Sequence, residues 1–218
     1  MKKWAVIFDM DGVIVDSNPC HKIALQQFCE KHGHTLSEQQ LREKIYGRTN
    51  KEWIANVFGA LPEKQVQALA EEKEALYREL FRQYIQPVKG LIGFLDQLDQ
   101  YQIARAIGTS APQSNVVFTL SKTGTQKYFD IILNETVVTH GKPHPEIYLK
   151  VAQALGLPNS QCVVIEDSLS GVEAGKAAGS KVVGITTTHT AEELAHTDCI
   201  IRDFEELTIE KLQALVGA

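Results

Sequence analysis

The chain has 218 residues, 44% of them hydrophobic and 22% charged, with a formal net charge of −5. That length can bury a substantial core in one large domain or two modest ones. The acidic balance argues against a nucleic-acid or anionic-membrane binder, and no apolar run nears the roughly 18 residues that a membrane span needs.

The N-terminus enters an apolar run after Met1-Lys2-Lys3 and meets Asp9 too soon for a signal peptide. The run Trp4–Phe8 predicts a buried strand that stops abruptly at Asp9, with Asp11 and Gly12 following at once. Two carboxylates two residues apart at a strand end project toward one region of space, because side chains there alternate with period two. Such a pair can hold a hard cation, or one member can act on a substrate while the other moves a proton. Residues 17–86 then show helical periodicity and no convincing strand. A helix is expected over 18–32, with Ala24, Leu25 and Phe28 on one face and Gly33 as a stop. Shorter helices are expected at about 37–44 and 50–59. In 62–85, Val66, Leu69, Tyr77, Leu80, Phe81 and Tyr84 fall at spacings of three and four after Pro62-Glu63.

After Pro87 and Gly90 the pattern alternates. Helices are expected at about 90–100, 112–122, 145–155 and 169–178, and strands at 103–108, 131–133, 162–166 and 181–185, with a short edge strand at 199–201. This alternation predicts an α/β fold with a doubly wound parallel sheet covered on both faces, to which the first strand also belongs. The helical stretch is then an inserted α-helical domain (17–86) within an α/β core (1–16 and 87–218). The crossings near Asp16-Ser17 and Gln86-Pro87 would form a paired hinge. Cys20, Cys29, Cys162 and Cys199 show no Cys-x-x-Cys spacing, so reduced thiols in a cytoplasmic protein are expected.

Ligands of open parallel sheets bind outside the carboxyl ends of the strands. Asp9 ends the first apolar run, Thr109-Ser110 end the run from Ile103, and Glu166-Asp167 end the run from Cys162. Lys142 lies in Gly141-Lys-Pro-His-Pro, just before a helix. Two carboxylate pairs, a hydroxyl and a cation on one rim suit phosphoryl transfer. A carboxylate can attack phosphorus, a cation held by oxygens screens the repulsion between anions, and Lys and hydroxyl donors steady the transferring group. Ser110 suits a helix cap, and Ser168 with Gly171 suits the start of the next helix.

Together, Asp9-Met-Asp-Gly-Val-Ile-Val-Asp-Ser, Thr109 after a strand, Gly141-Lys-Pro-His-Pro-Glu and Glu166-Asp167-Ser-Leu-Ser-Gly resemble the haloacid dehalogenase superfamily. The likeness is to the branch of β-phosphoglucomutases and sugar-phosphate phosphatases, and it covers nearly the whole chain. It implies a Rossmann-like core with a helical cap, Asp9 as nucleophile and Asp11 as general acid/base. It also implies Mg2+ held by Asp9, the Asp11 carbonyl and Asp167, with Glu166 close by, and a phosphoryl group bound by Thr109 and Lys142. Gly12 and Ser110 would border the substrate. In the cap, His21 would face the active site on closure, and Tyr46-Gly47-Arg48-Thr49-Asn50-Lys51 would be the specificity loop. In β-phosphoglucomutases that stretch places an arginine after a serine. Here Thr49 and Asn50 stand at those positions, with Arg48 and Lys51 to either side. A mutase must hold and reorient a bisphosphate, so this departure favours a phosphatase of a small phosphorylated metabolite over a mutase. A module that accepts phosphate on Asp9 without turnover is the alternative from another class. A monomer without nucleic-acid or membrane partners is expected.

Overall fold

A computed structural model describes residues 3–45 and 49–217. Six parallel strands form one sheet: β1 (Ala5–Phe8), β2 (Ala104–Gly108), β3 (Ile131–Leu133), β4 (Cys162–Glu166), β5 (Lys181–Ile185) and β6 (Cys199–Ile201). Their order is β3-β2-β1-β4-β5-β6. The chain thus leaves β1 to build outward first on one side and then on the other, which places β1 at the topological switch point. Phe8 is paired with Ile107 of β2 and Ile165 of β4, so three neighbouring strands end level with one another.

Alternation along β1 separates two buried layers. Ala5 and Ile7 share a core cluster with Ile147, Tyr148, Val151 and Ala152 of α7 (Glu146–Leu155) and Val172 and Ala174 of α8 (Leu169–Ala177). On the opposite face Phe8 meets Phe94 of α5 (Leu91–Gln100), Phe129 and Phe204 at ring separations of 5.5–6.2 Å. With both faces covered, β1 and β4 are apolar without interruption and wholly buried up to their polar ends. α6 (Gln113–Thr123) follows β2, and α9 (Ile209–Val216) closes the chain. The sequence reading did not include α9. Thr208 caps it by accepting the Lys211 N–H, and Ile209 and Leu212 bury its inner face.

The helical segment consists of α1 (Asn18–Lys31), α2 (Glu38–Lys44), α3 (Asn50–Phe58) and α4 (Glu63–Phe81). Leu25, Phe28, Cys29, Leu41, Ile45, Trp53 and Ile54 form its core, with Val66 and Leu69 packed against them. α4 stops at Phe81 rather than continuing to 85, and Tyr84, the last apolar residue at helical spacing, is 74% exposed. The chain divides into two compact units, 1–16 with 85–218 and 17–84, so the second junction falls two residues before the expected Gln86-Pro87 crossing. All four cysteines are free thiols, and no described helix is long and apolar enough to cross a membrane.

Candidate active site

The level strand ends determine the site. Asp9 follows β1, and its N–H continues the ladder by donating to the Ile165 carbonyl at 3.0 Å. It has the parity of Ile7 and therefore faces the side covered by α7. The chain then turns tightly: the Met10 carbonyl accepts the Ile14 N–H at 2.8 Å, and the Gly12 N–H reaches the Val15 carbonyl at 2.7 Å. Gly12 has φ +75°, and a Cβ there would lie 1.9 Å from Asp167 Oδ2. Only glycine lets this loop lie against Asp167. Asp11 is half-buried on the same loop.

Lys142 reaches the rim from the loop before α7. Its Nζ donates to Asp9 Oδ1 at 2.8 Å and Glu166 Oε1 at 2.6 Å, with the Gly108 carbonyl at 3.4 Å. Glu166, fully buried at the end of β4, also accepts the Tyr148 hydroxyl on Oε1 at 2.6 Å. Its Oε2 accepts the N–H groups of Asp167 and Ser168, both at 3.1 Å, and the Ser168 hydroxyl at 3.0 Å. Ser168 in turn caps α8 by accepting the Gly171 N–H. Thr109 is buried beside Gly108, and its hydroxyl accepts the Ala111 N–H at 3.1 Å. Ser110 is exposed and is not the cap of α6. That position is Pro112, which has extended backbone geometry suited to helix entry, while the Thr109 hydroxyl serves the turn before it.

Charge balance is the dominant electrostatic feature. Burial pushes the Asp9 carboxyl up to about 7; Lys142 opposes this, while Glu166 and Asp11 add to it. Burial and the charges of Glu166 and Asp9 hold Asp167 well above the usual carboxylate range. Burial acts in the same direction on Glu166, but Lys142, Tyr148 and the Ser168 N–H outweigh it and keep that group ionised. Burial also disfavours the Lys142 charge, yet Asp9 and Glu166 overcome the penalty and raise its pKa.

The other candidates lie in the helical unit. His21 stacks on Tyr77 with ring centres 3.7 Å apart, and its Nδ1 is 3.0 Å from Lys73 Nζ. Thr49 caps α3, accepting the Glu52 N–H and donating to Glu52 Oε2. Asn50 Oδ1 accepts the Trp53 indole N–H at 2.8 Å, and Lys51 is exposed. Gly47 and Arg48 lie outside the described residues.

The model of the family described as haloacid dehalogenase-like hydrolase matches residues 6–185. The chain belongs to that family. It is accordingly an enzyme, and its relatives agree. A phosphorylated carbohydrates phosphatase of Thermotoga maritima is 35% identical over 83% of this chain and 84% of its own length. A β-phosphoglucomutase of Bacillus subtilis is 28% identical over 95% of this chain and 93% of its own. The crystal structure of a family hydrolase from Entamoeba histolytica superposes with a TM-score of 0.91 at 32% identity, covering 99% of this chain and all of that one.

Within this family fold, the sequence reading missed three side chains that reach the site. Tyr148 adds a hydroxyl to Glu166 and places its ring 4.9 Å from Lys142 Nζ. Its position two residues into α7 gave a packing signal only. Thr188, in the loop after β5, donates to Asp167 Oδ2, and the adjacent Thr187 donates to the Gly12 carbonyl at 2.6 Å. The run Thr186-Thr187-Thr188, directly after an apolar strand, carried the same strand-end signal as Thr109.

The donor set fits the Mg2+ general in this superfamily. Asp9, Glu166 and Asp167 bring carboxylate oxygens within 4.8 Å of one another, all buried, and Lys142 is the cation bonded among them. Burying that surplus of negative charge is costly, as the raised Asp9 and Asp167 carboxyls register. An all-oxygen set suits a hard divalent ion.

Proposed function

We propose that the protein is a Mg2+-dependent phosphatase of a small phosphorylated metabolite, a sugar phosphate above all, working through an aspartyl phosphate. The observation that carries this reading is Asp9 itself: a buried carboxylate at the switch point, held by Lys142 and facing Asp167. One Asp9 oxygen forms the bond to phosphorus as the bond from phosphorus to the ester oxygen breaks. Asp11 gives that leaving oxygen its proton. Asp11 then takes a proton from water as the water attacks, the bond from phosphorus to Asp9 breaks, and phosphate departs. Lys142 and the Thr109 hydroxyl grip the equatorial oxygens, where charge accumulates. Glu166, whose oxygens are already engaged by Lys142, Tyr148 and Ser168, orients the lysine from beside the metal position. Asp9, the Asp11 carbonyl and Asp167 would hold Mg2+, which supplies charge to offset repulsion between nucleophile and substrate.

On this reading the α/β unit performs the chemistry and the helical unit selects the substrate. The protein works as a cytoplasmic monomer. Asp9→Asn should lower turnover of a phosphate monoester by about 10⁴-fold or more while leaving the thermal melt intact. Full activity in that variant ends the proposal, and multiple turnovers by the wild type exclude a signalling module that only stores phosphate. The likeness to a named β-phosphoglucomutase favours one second reading. β-Glucose 1-phosphate with a trace of bisphosphate separates the two: glucose 6-phosphate accumulating without matching free phosphate would establish the mutase.

A further inference from the structure

Two groups of three or more His, Cys, Asp or Glu side chains, among the described residues, bring ligand atoms within 4.8 Å of one another. One is the buried carboxylate set. The other, His140, His144 and Glu146, lies on the outside of the loop that carries Lys142, and the proposed reaction makes no use of it. From this second group we infer a surface site for a borderline transition-metal ion, Zn2+ or a neighbour of it, separate from the Mg2+ position.

The loop is organised in advance. Glu146 folds it back by accepting the Thr139 N–H on both carboxylate oxygens at 3.1 Å and the His140 N–H on Oε2 at 2.9 Å. Lys150 engages Oε1 at 2.6 Å, which leaves Oε2 facing His140 Nδ1 at 3.4 Å. The two imidazoles consequently stand side by side, ring centres 4.7 Å apart and tilted by 36°. His140 is 65% exposed at its side chain and His144 is exposed as well, so both can turn onto an ion without unpacking a core. Among the described residues, the bond to a ring nitrogen of His144 comes from the Glu146 N–H to Nδ1 at 3.3 Å, which is long and readily exchanged.

Donor chemistry separates the two sites. Imidazole nitrogens with one carboxylate suit Zn2+, Ni2+ or Cu2+, whereas Mg2+ prefers oxygens and octahedral geometry. Three protein ligands leave a fourth position for water. Because the loop is already closed by Glu146, binding has little ordering cost to overcome. His140 and His144 each lie two residues from Lys142, so an ion bridging them ties the backbone arc that presents that lysine.

The test is titration of the full chain with Zn2+ by calorimetry in excess Mg2+, repeated with Co2+ to read the visible bands of a tetrahedral site. One Zn2+ should bind per chain. His140→Ala and His144→Ala should each weaken binding by at least about tenfold, the scale that loss of even an indirect ligand partner produces. Asp167→Asn, which alters the buried set, should leave Zn2+ affinity unchanged. Hydrogen exchange should slow across residues 139–146 on addition of Zn2+. Because both histidines are exposed, the metal-free variants should melt as the wild type does. Unchanged affinity in the His140→Ala/His144→Ala double variant, loss of binding in Asp167→Asn, or no stoichiometric uptake would overturn the inference. None of these outcomes depends on the phosphatase reading.

Discussion

The strand-end rim of the α/β unit and the start of α3 in the helical unit carry equally polar residues, yet those residues do opposite things. On the rim, Asp9, Glu166 and Asp167 are buried, the Lys142 side chain is nearly so, and they bond partners up to 133 positions away in sequence. At the start of α3, Thr49 and Asn50 bond residues three positions on, and Lys51 projects into solvent. Polar groups placed in a low-dielectric interior against distant partners have no purely local reason to be there, and their cost points to chemistry. Polar groups that complete a helix end are explained by the helix alone. The two regions therefore differ in how strongly the fold argues for function.

Glycine substitution should expose that difference most sharply. A Cβ on Gly171 would lie 1.7 Å from Glu166 Oε1. The carboxylate cannot retreat, because Lys142, Tyr148 and Ser168 hold it from several sides. Gly171→Ala should cost roughly 3 kcal/mol or more, the scale of breaking a buried ion pair, and should remove most activity with it. Gly33 in the helical unit has φ +80° but nothing within 4 Å of its added Cβ, so Gly33→Ala should cost only about 1–2 kcal/mol of backbone strain and leave turnover alone. Urea denaturation measures both. Equal losses would mean that the rim is no more constrained than a surface turn.

The surplus charge of the rim predicts a smaller effect that depends on pH. Burial pushes the Asp9 carboxyl from its ordinary 3.8 up to about 7 in the folded, metal-free protein, so between those values the folded state holds a proton that the unfolded state has lost. Stability should therefore fall as pH rises through that window, by a few kcal/mol at most, and Asp167 acts in the same direction. Glu166, shifted downward, acts oppositely, but its window lies below the ordinary 4.5. Saturating Mg2+ should flatten the decline, because a bound cation favours the ionised carboxylates. Urea melts at pH 5 and pH 7.5, in chelator or in Mg2+, check this. The same slope in both media would count against a divalent ion at the carboxylate set.

The rim was legible in the sequence because parallel strands end level. Once the apolar runs were found, the polar residue closing each run had to lie beside the others, and Asp9, Thr109, Glu166 and Asp167 followed from register alone. Lys142 sits on no strand; its place on the rim is read from the segment just before a helix, and its phosphoryl-binding role from the resemblance. Tyr148 carries only a packing signal in the sequence, because it joins the site across space from 18 residues before its partner Glu166; Thr188, 21 residues from Asp167, stands in a polar run that closes an apolar strand, the signal that marked Thr109. Tyr84 shows the converse: it keeps helical spacing after α4 has ended, because spacing records a pattern and not what packs against it. α9 has a readable cap in Thr208, but it follows the end of the regular strand–helix alternation, so no flanking strand marks it.

The smallest effect tests the weaker region on its own terms. Thr49 and Glu52 form a reciprocal cap: the Glu52 carboxylate accepts the Thr49 N–H at 2.8 Å while the Thr49 hydroxyl accepts the Glu52 N–H at 3.3 Å. Thr49→Ala should cost about 1 kcal/mol of stability, and Thr49→Ser should restore it. If the cap is the whole role of Thr49, KM for a sugar phosphate and for a simple aryl phosphate should both stay at the wild-type value in Thr49→Ala. A rise in KM confined to the sugar phosphate, recovered in Thr49→Ser, would show the hydroxyl serving both helix and substrate. That result would move the start of α3 from the region explained by local structure to the region explained by function.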